Sequence, residues 1–298
     1  MGRLEPGTSG PPFSRSTRDR LVHGLAGLGD VRWAVADLGG VVEEARRRHD
    51  LSPIAASALG RTMSGAALLM FLSTKAWERM VVDVRGDGPL GKVTAEIDAS
   101  GNLRGLVGEP RVESADGERL SIAAAVGKGL LRVRREGPRG AHESQVELAT
   151  GEIGLDLAHY LEQSEQTSSA VMLGVLARSE GVAAAGGMIV ELMPAAREEH
   201  VAALERNIAA LGGVSPLLER SGVAGLVEAV LAGLDREILG EQELRFRCRC
   251  RRDELRQRLA TLPEDDRASL ADEQGRLVAE CAYCAARYVF STTELAPS

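Results

Sequence analysis

The sequence predicts an α+β protein with an N-terminal domain of mixed sheet and helix, a helical connector and a small C-terminal domain built around four cysteines. Three observations support this division. Up to about residue 195 the hydrophobic period switches between that of helices and that of strands. Two narrow amphipathic stripes follow, separated by a pair of glycines. All four cysteines of the chain then occur from Cys248 onward.

The composition is that of a globular chain long enough for two domains. Its 298 residues are 44% hydrophobic and 27% charged, and only 3% are aromatic, so Ala, Val, Leu and Ile must fill the core. The formal net charge of -7 argues against a general nucleic-acid binder, which normally carries a basic surface.

Residues 1–17 are predicted to form a disordered tail. The stretch from Met1 to Pro12 is rich in Gly, Pro and Ser and lacks the apolar segment of a signal peptide. No apolar run approaches the roughly 18 residues of a membrane span, and the run from Gly65 to Leu72 is among the longest. We therefore expect a cytoplasmic protein without a membrane segment. In that compartment paired cysteines more often indicate metal or redox chemistry than structural disulfides.

The predicted α+β core domain covers residues 18–195 and begins with a strand and two helices. An apolar run over residues 31–37 predicts the strand, and Gly39-Gly40 leads into a helix that ends in basic residues, which oppose the helix dipole favourably. Ser52, followed by proline, gives the N-cap of a second helix that we expect to reach about Leu72.

The rest of the core domain alternates in strand fashion and contains one further helix. Apolar residues recur at every second position in several short runs, which predicts an antiparallel meander. The predicted strands cover residues 80–84, 93–97, 103–107, 130–134 and 145–148. A helix over residues 151–162 and strands over 171–177 and 188–193 complete the domain.

The predicted connector covers residues 196–240. Its two stripes are separated by Gly212-Gly213. The stripes consist of Val201, Leu204, Ile208 and Leu211, and of Leu226, Val227, Val230, Leu231 and Leu234. Because helices of this length are marginal in water, they must lie against another part of the protein.

The four cysteines form two tight pairs separated by thirty residues, Cys248-Arg249-Cys250 and Cys281-Ala282-Tyr283-Cys284. Each pair offers two thiolates from one short piece of backbone, as a tetrahedral four-thiolate zinc site requires. Residues 241–298 are therefore the predicted zinc domain, in which Cys248, Cys250, Cys281 and Cys284 hold one ion. Strict alternation over residues 244–251 predicts a strand that places both thiols of the C-x-C pair on one face.

Other chemistry finds little support in the sequence. The run Gly86–Gly91 fits G-x-G-x-x-G but is followed by strand periodicity, so we predict a hairpin turn and not a dinucleotide site. A thioredoxin-like interpretation of the second cysteine pair lacks the required strand-then-helix context. The histidines are scattered, match no zinc-enzyme motif and are interpreted as surface or helix residues: His23, His49, His142, His159 and His200.

Five arginines surround the first cysteine pair: Arg245, Arg247, Arg249, Arg251 and Arg252. Four thiolates on one zinc ion leave a formal charge of about -2, which nearby arginines would offset. The alternative is a stripe that contacts nucleic acid. Residues 241–298 carry ten arginines and eleven acidic residues, so the segment as a whole is not basic. This balance favours electrostatic support of the site.

These features together resemble the redox-regulated 33 kDa heat-shock chaperones of bacteria, also called 33 kDa chaperonins. The C-x-C pair, the loop of thirty residues and the C-x-x-C pair near the C-terminus are highly specific to that family, and the similarity covers roughly residues 18–293. It also includes Asp19-Arg20-Leu21-Val22, Ser52-Pro53, Gly86–Gly91, Val126-Gly127-Lys128-Gly129, Gly151-Glu152-Ile153-Gly154 and Ser164-Glu165-Gln166-Thr167. Ser168 stands where the family often has proline, and the tail before Ser16 has no counterpart.

The resemblance implies an ATP-independent holdase and not an enzyme. Members of the family hold zinc on reduced cysteines while inactive. Oxidation to the disulfides Cys248–Cys250 and Cys281–Cys284 releases zinc, unfolds the zinc domain and the connector, and accompanies homodimer formation. The exposed surface binds unfolding client proteins, which later pass to ATP-dependent refolding chaperones.

Loss of zinc is expected to deprive the connector of what it leans on. The predicted client-binding residues are the apolar ones that this exposes: Leu204, Ile208, Leu226, Val230 and Leu231.

Two other function classes remain open at the level of sequence. A constitutive zinc-ribbon protein would bind nucleic acid through Arg245–Arg252, and its affinity would depend on salt and survive only with zinc bound. An enzyme with a merely structural zinc site is the other class, but the sequence offers no catalytic constellation for it.

Overall fold

The computed structural model describes residues 19–73, 77–112 and 120–295. The predicted disordered tail therefore lies outside the described residues. The strands are β1 (Arg20–Ala26), β2 (Val31–Asp37), β3 (Arg79–Gly86), β4 (Lys92–Asp98), β5 (Asn102–Val107), β6 (Gly129–Gly137), β7 (Gly140–Glu147), β8 (Ser169–Arg178), β9 (Gly181–Leu192), β10 (Arg236–Glu243), β11 (Arg245–Phe246), β12 (Arg276–Glu280) and β13 (Arg287–Ser291). The helices are α1 (Gly39–His49), α2 (Pro53–Leu72), α3 (Ile122–Val126), α4 (Ile153–Glu165), α5 (Glu198–Ala209), α6 (Val214–Val230), α7 (Arg252–Ala260) and α8 (Glu264–Leu270).

Two sheets form the body of this α+β fold. The first has the strand order β10-β1-β2-β9-β8, and the second has the order β11-β5-β4-β3-β6-β7. All pairings are antiparallel except that of β11 with β5. The predicted antiparallel strands β3 to β7 are all present, and Gly86–Gly91 is the predicted hairpin turn between β3 and β4. The predicted meander is wrong between β5 and β6, because the chain crosses back and β6 pairs with β3. A separate hairpin of β12 and β13 carries the second cysteine pair at its tip.

Helix α2 lies at the centre of the molecule and packs against strands of both sheets. The Ser52 hydroxyl caps its first turn by accepting a hydrogen bond from the Ala55 N–H at 3.5 Å. By length and composition alone α2 could cross a membrane, so the expectation that no run approaches a span is wrong for this helix. Because 78% of its most apolar stretch is buried inside the protein, α2 has the burial of a core helix.

Strand β2 divides the apolar interior into two clusters. Ala34 and Ala36 face the main cluster around α2, whereas Trp33 and Val35 belong to a second cluster on the opposite side of the first sheet. This is the two-residue alternation of a strand that is buried on both faces. The first sheet therefore needs a second covering layer.

Helices α5 and α6 provide that layer. Helix α5 ends before the predicted break at Gly212-Gly213 and α6 begins after it. Helix α6 is kinked at Gly222, where φ is 62°. Helix α6 packs against β2, β8 and β9. From the sequence we expected the connector helices to lean on the zinc domain. The structure corrects this point, because their apolar stripes cover the core sheet.

Strand β10 was not predicted, and it spans residue 240, where the predicted connector ends. Its side chains are mostly exposed, so it shows little hydrophobic pattern, and it joins the first sheet through backbone pairing with β1. Gly24 of β1 permits this close approach, since a Cβ there would lie 1.9 Å from the Glu237 carbonyl oxygen. The residues immediately before the cysteines are thus fastened to the core.

The start of α1 depends on a side chain from outside the helix. Leu38 occupies the N-cap position without a capping hydrogen bond, and the Asp19 carboxylate accepts hydrogen bonds from the Gly40 N–H, at 2.9 Å, and the Val41 N–H. Burial raises the pKa of Asp19 from 3.8 to about 6, even though these two hydrogen bonds favour the charged form.

This shift predicts a specific pH dependence of stability. A carboxyl whose pKa is raised on folding contributes stability that is complete below the unfolded-state pKa and is lost as pH rises through the folded-state pKa. Asp19→Asn stays neutral at every pH. We therefore expect its free energy of unfolding, relative to that of the wild type, to rise by at most about 3 kcal/mol from pH 4 to pH 8. Urea unfolding at both pH values measures the difference. Asp253→Asn, at an exposed position, is the control, and an Asp19→Asn curve parallel to the wild-type curve would contradict this account.

Candidate metal centre

The first cysteine pair projects from the edge of the second sheet. Strand β11 pairs with β5 in parallel, and the Arg247 N–H continues the ladder by donating to the Leu103 carbonyl oxygen at 2.8 Å. The strand predicted to run through residue 251 is wrong beyond Phe246, because Cys248 and Cys250 leave the sheet edge. The C-x-C pair is therefore held at one end by the core.

The second pair forms a tight turn at the tip of the β12–β13 hairpin. The Cys281 N–H donates to the Ala286 carbonyl oxygen at 3.0 Å, and the Ala285 N–H donates to the Cys281 carbonyl oxygen at 2.8 Å. Ala285 takes a left-handed conformation with a φ of 54° to close the turn. A strand and no helix follows, which agrees with the rejection of a thioredoxin-like site.

The fold brings all four predicted metal ligands together. Their sulfur atoms all lie within 4.8 Å of one another, and the four cysteines are free thiols. The Cys248 and Cys281 Sγ atoms are 3.7 Å apart, and those of Cys250 and Cys284 are 3.4 Å apart. Tetrahedral zinc with bonds of about 2.3 Å requires sulfur separations of roughly 3.8 Å. The donor set and its spacing therefore fit one zinc ion.

Electrostatic surroundings differ between the cysteine thiols. Burial opposes ionisation of Cys248, but hydrogen bonds from the Arg104 guanidinium, at 3.5 Å, and from Cys250 outweigh it and lower the pKa of Cys248 to about 7. Burial raises the pKa values of Cys281 and Cys284. Cys248 thus ionises more readily than Cys281 and Cys284, both for metal binding and for attack on an oxidant.

A tyrosine hydroxyl supports the centre from the C-terminal hairpin. The Tyr288 hydroxyl lies 3.2 Å from the Cys250 Sγ. This contact, together with desolvation, raises the pKa of Tyr288 to about 12. The hydroxyl therefore stays protonated and can donate to the sulfur as an outer-shell partner.

Three of the five arginines around the first pair form ion pairs within the protein. Arg245 pairs with Glu243 at 2.9 Å, Arg249 pairs with Glu96, and Arg252 pairs with Glu294. Arg247 and Arg251 line a cleft of about 960 Å³ beside the cysteines. Because three of these five charges already pair with carboxylates of the protein, they are less available for nucleic-acid contact.

Core residues at the centre were not anticipated from the sequence. Arg104 on β5 contacts Cys248, Glu96 on β4 pairs with both Arg104 and Arg249, and His49 contacts the backbone of the second pair. The one available signal was a polar face on β4, where Glu96 alternates with buried apolar residues. That pattern alone does not reveal its partner.

The five predicted client-binding residues lie in the second apolar cluster, on the first sheet. Leu226 and Val230 are fully buried, Leu231 and Leu204 are almost so, and Ile208 is half-buried. The structure thus brings them together with one another, but places them against core side chains such as Trp33 and not at the cysteines.

Comparison with known proteins places these features in one family. The family described as "Hsp33 protein" matches residues 19–291. A 33 kDa chaperonin of Thermus thermophilus is 45% identical over 93% of this chain and 85% of its own length. One of Desulforamulus reducens is 39% identical over 93% of this chain and 96% of its own length. The crystal structure of the 33 kDa chaperonin of Thermotoga maritima, a heat shock protein 33 homolog, superposes with a TM-score of 0.85 at 34% identity, covering 93% of this chain and 96% of that one.

We expect the reduced protein to bind one zinc ion per chain, and Cys281→Ser to lower its zinc affinity by at least ~100-fold because one of four thiolates is lost. Chelator competition measures the affinity, and the thiolate charge-transfer band of the cobalt-substituted protein reports the ligand set. Ser269→Ala, at an exposed position on α8, is the matched control. Wild-type affinity in the Cys281→Ser variant would contradict the assignment.

Proposed function

The chain belongs to the Hsp33 family of heat-shock chaperones, and we propose that it is a redox-regulated, ATP-independent holdase. The observation that carries this proposal is the cluster of four free thiols within 4.8 Å of one another, at the point where the C-terminal segment meets the core. Such a cluster is both a zinc site and a pair of potential disulfides. The proposed activity is binding, and no catalytic step is required.

In the reduced state, we propose, Cys248, Cys250, Cys281 and Cys284 hold one zinc ion. A structural zinc ion of this kind contributes about 10–16 kcal/mol of apparent binding free energy, much of it as folding free energy. Among the described residues after β11, the buried apolar cluster is small and centres on Leu277, Phe290 and Leu295. The fold of this segment should therefore depend on the centre.

Oxidation is proposed to join Cys248 to Cys250 and Cys281 to Cys284. For each pair of thiolates, one molecule of hydrogen peroxide accepts two electrons, its O–O bond breaks and one S–S bond forms. The two oxygens take up two protons from the solvent and leave as two molecules of water. Neither pair then offers a thiolate to a metal ion. The ring closed by a C-x-C disulfide is small and strained, so it is comparatively easy to reduce, and the switch can be reset.

Unfolding at the cysteines would reach the connector through the backbone elements that join them. Melting of the C-terminal segment frees the residues that follow β11, and the two-residue pairing of β11 with β5 is too short to persist alone. Strand β10 is the next element, at an open edge of the first sheet, and α6 precedes it. Loss of these anchors would loosen the helices on the core sheet.

Release of α5 and α6 would uncover two apolar surfaces together. One is formed by the proposed client-binding residues Leu204, Ile208, Leu226, Val230 and Leu231. The other is the face of the first sheet that they cover, including Trp33, Val35 and Met188. Exposed apolar patches of this kind suit unfolding chains. This arrangement supports the proposed client site and extends it to the sheet.

The remaining parts of the proposal rest on the family. They are a cytoplasmic location, homodimer formation on oxidation, and transfer of clients to ATP-dependent refolding chaperones. The open edge at β10 and the uncovered sheet face would give a second chain apolar and backbone surface to contact.

Oxidation of the zinc-loaded protein with hydrogen peroxide under mild heat should release zinc, consume four thiols per chain and suppress aggregation of a heat-denatured model client. Zinc release, thiol titre and light scattering are followed on the same sample. Addition of reductant and zinc should restore the inactive state, which serves as the control. Complete loss of zinc and thiols without any gain in suppression would refute the redox switch.

Leu226→Ala should lower the oxidant dose and temperature needed for activation. It removes a fully buried side chain from the contact between α6 and the core sheet, which costs about 2–5 kcal/mol. Leu239→Ala, 54% exposed on β10, should change stability by less than about 0.5 kcal/mol. Thermal unfolding and activation curves compare the two variants. Equal thresholds in both would argue against release of α6 as the activating step.

A further inference from the structure

Side chains of the core domain touch both cysteine pairs. The Arg104 Nη1 donates to the Cys248 Sγ at 3.5 Å. The same guanidinium lies over the ring of Tyr283, with its carbon atom 4.1 Å from the ring centroid, in cation–π geometry. The His49 Nε2 is 3.2 Å from the Tyr283 carbonyl oxygen. Tyr283 is part of the C-x-x-C turn, so one guanidinium spans the two halves of the centre.

A buried carboxylate holds this guanidinium in place. Glu96 is 6% exposed and accepts a hydrogen bond from the Arg104 Nη2 at 2.8 Å. It also pairs with Arg249, the residue between Cys248 and Cys250, and lies 3.6 Å from the Arg79 Nε. One core carboxylate thus ties the arginine that touches the sulfur to the arginine inside the C-x-C pair.

The sheet register explains why these groups meet. Glu96 of β4 is the direct cross-strand neighbour of Arg104 of β5, so their side chains share one face. The parallel pairing of Phe246 with Leu103 then places Cys248 beside Arg104. The cleft of about 960 Å³ at this junction is lined by polar and charged residues of both parts. The junction is therefore held chiefly by charge and hydrogen bonds.

We propose that Arg104, oriented by Glu96, is a positioning residue that docks the reduced cysteine centre on the core and releases it on oxidation. The proposal rests on the redox switch described above. A centre of four thiolates and one zinc ion carries about -2 formal charge and attracts the guanidinium. Two disulfides carry none, because each pair of thiolates has given two electrons to the peroxide, whose oxygens take protons from the solvent and leave as water. Arg104 then keeps Glu96 as a partner but loses the sulfur.

The test compares reduced, zinc-loaded variants by two measurements that do not depend on chaperone activity. Chelator competition gives the zinc affinity, and amide hydrogen exchange at Arg247, whose N–H bonds to Leu103, reports docking of β11 on the core. Arg104→Gln removes the charge. Arg249→Gln, at a position 40% exposed, removes the other arginine that pairs with Glu96. It leaves the core residues unchanged, so it can still be measured if Arg104→Gln folds poorly.

Loss of an outer-shell partner typically weakens metal binding 10–100-fold, and we expect a loss of about this size in Arg104→Gln. Exchange at Arg247 should rise at least about tenfold in both variants, towards the rate of the oxidised wild type. Arg134→Gln removes a half-exposed, Glu136-paired arginine of the same sheet and is the control. Wild-type zinc affinity and exchange in Arg104→Gln, or wild-type exchange in Arg249→Gln, would overturn the proposal. Failure of the redox switch would show separately, as absence of peroxide-induced activity in the wild type.

Discussion

Four thiolates gathered at one point repel one another, and they stay together only while a cation and nearby donors offset their charge. In this protein the sulfur atoms come from two pieces of chain separated by thirty residues and lie within 4.8 Å of one another. The segment that carries them has a small apolar cluster, centred on Leu277, Phe290 and Leu295. In the proposed switch, its fold depends on the state of the cysteines more than on hydrophobic burial.

The cysteines are linked to the core because the short segment between the connector and the cysteines contributes strands to both core sheets. Strand β10 belongs to the first sheet, β11 belongs to the second, and Cys248 follows two residues later. The helices that precede β10 cover one face of the first sheet with fully buried leucines and valines. We propose that a change at the sulfurs uncovers this apolar surface without unfolding the cluster around α2. That separation between a stable core and a releasable layer is what a holdase switch requires.

The sequence was informative where local chemistry decides the structure. Ser52 followed by proline fixed the start of α2, the alternating runs located β3 to β7, and the cysteine spacing identified a four-sulfur centre. It was uninformative where the position of an element depends on backbone contacts with distant parts of the chain. Strand β10 is mostly exposed and joins its sheet through backbone hydrogen bonds, so it shows no hydrophobic pattern. Arg104 and Glu96 reach the cysteines only because β11, from a distant part of the chain, pairs with β5 beside β4. The amphipathic stripes showed that the connector helices need a partner, but not that this partner is the core sheet.

The central claim is that the state of the cysteines controls whether α5 and α6 stay on the first sheet. Amide hydrogen exchange across the whole chain, before and after oxidation, measures this most directly. The account predicts that protection in α5, α6 and β10 is lost together with bound zinc, while β3, β4 and α2 keep theirs. Retention of protection in α5 and α6 in an oxidised sample that suppresses client aggregation would contradict it.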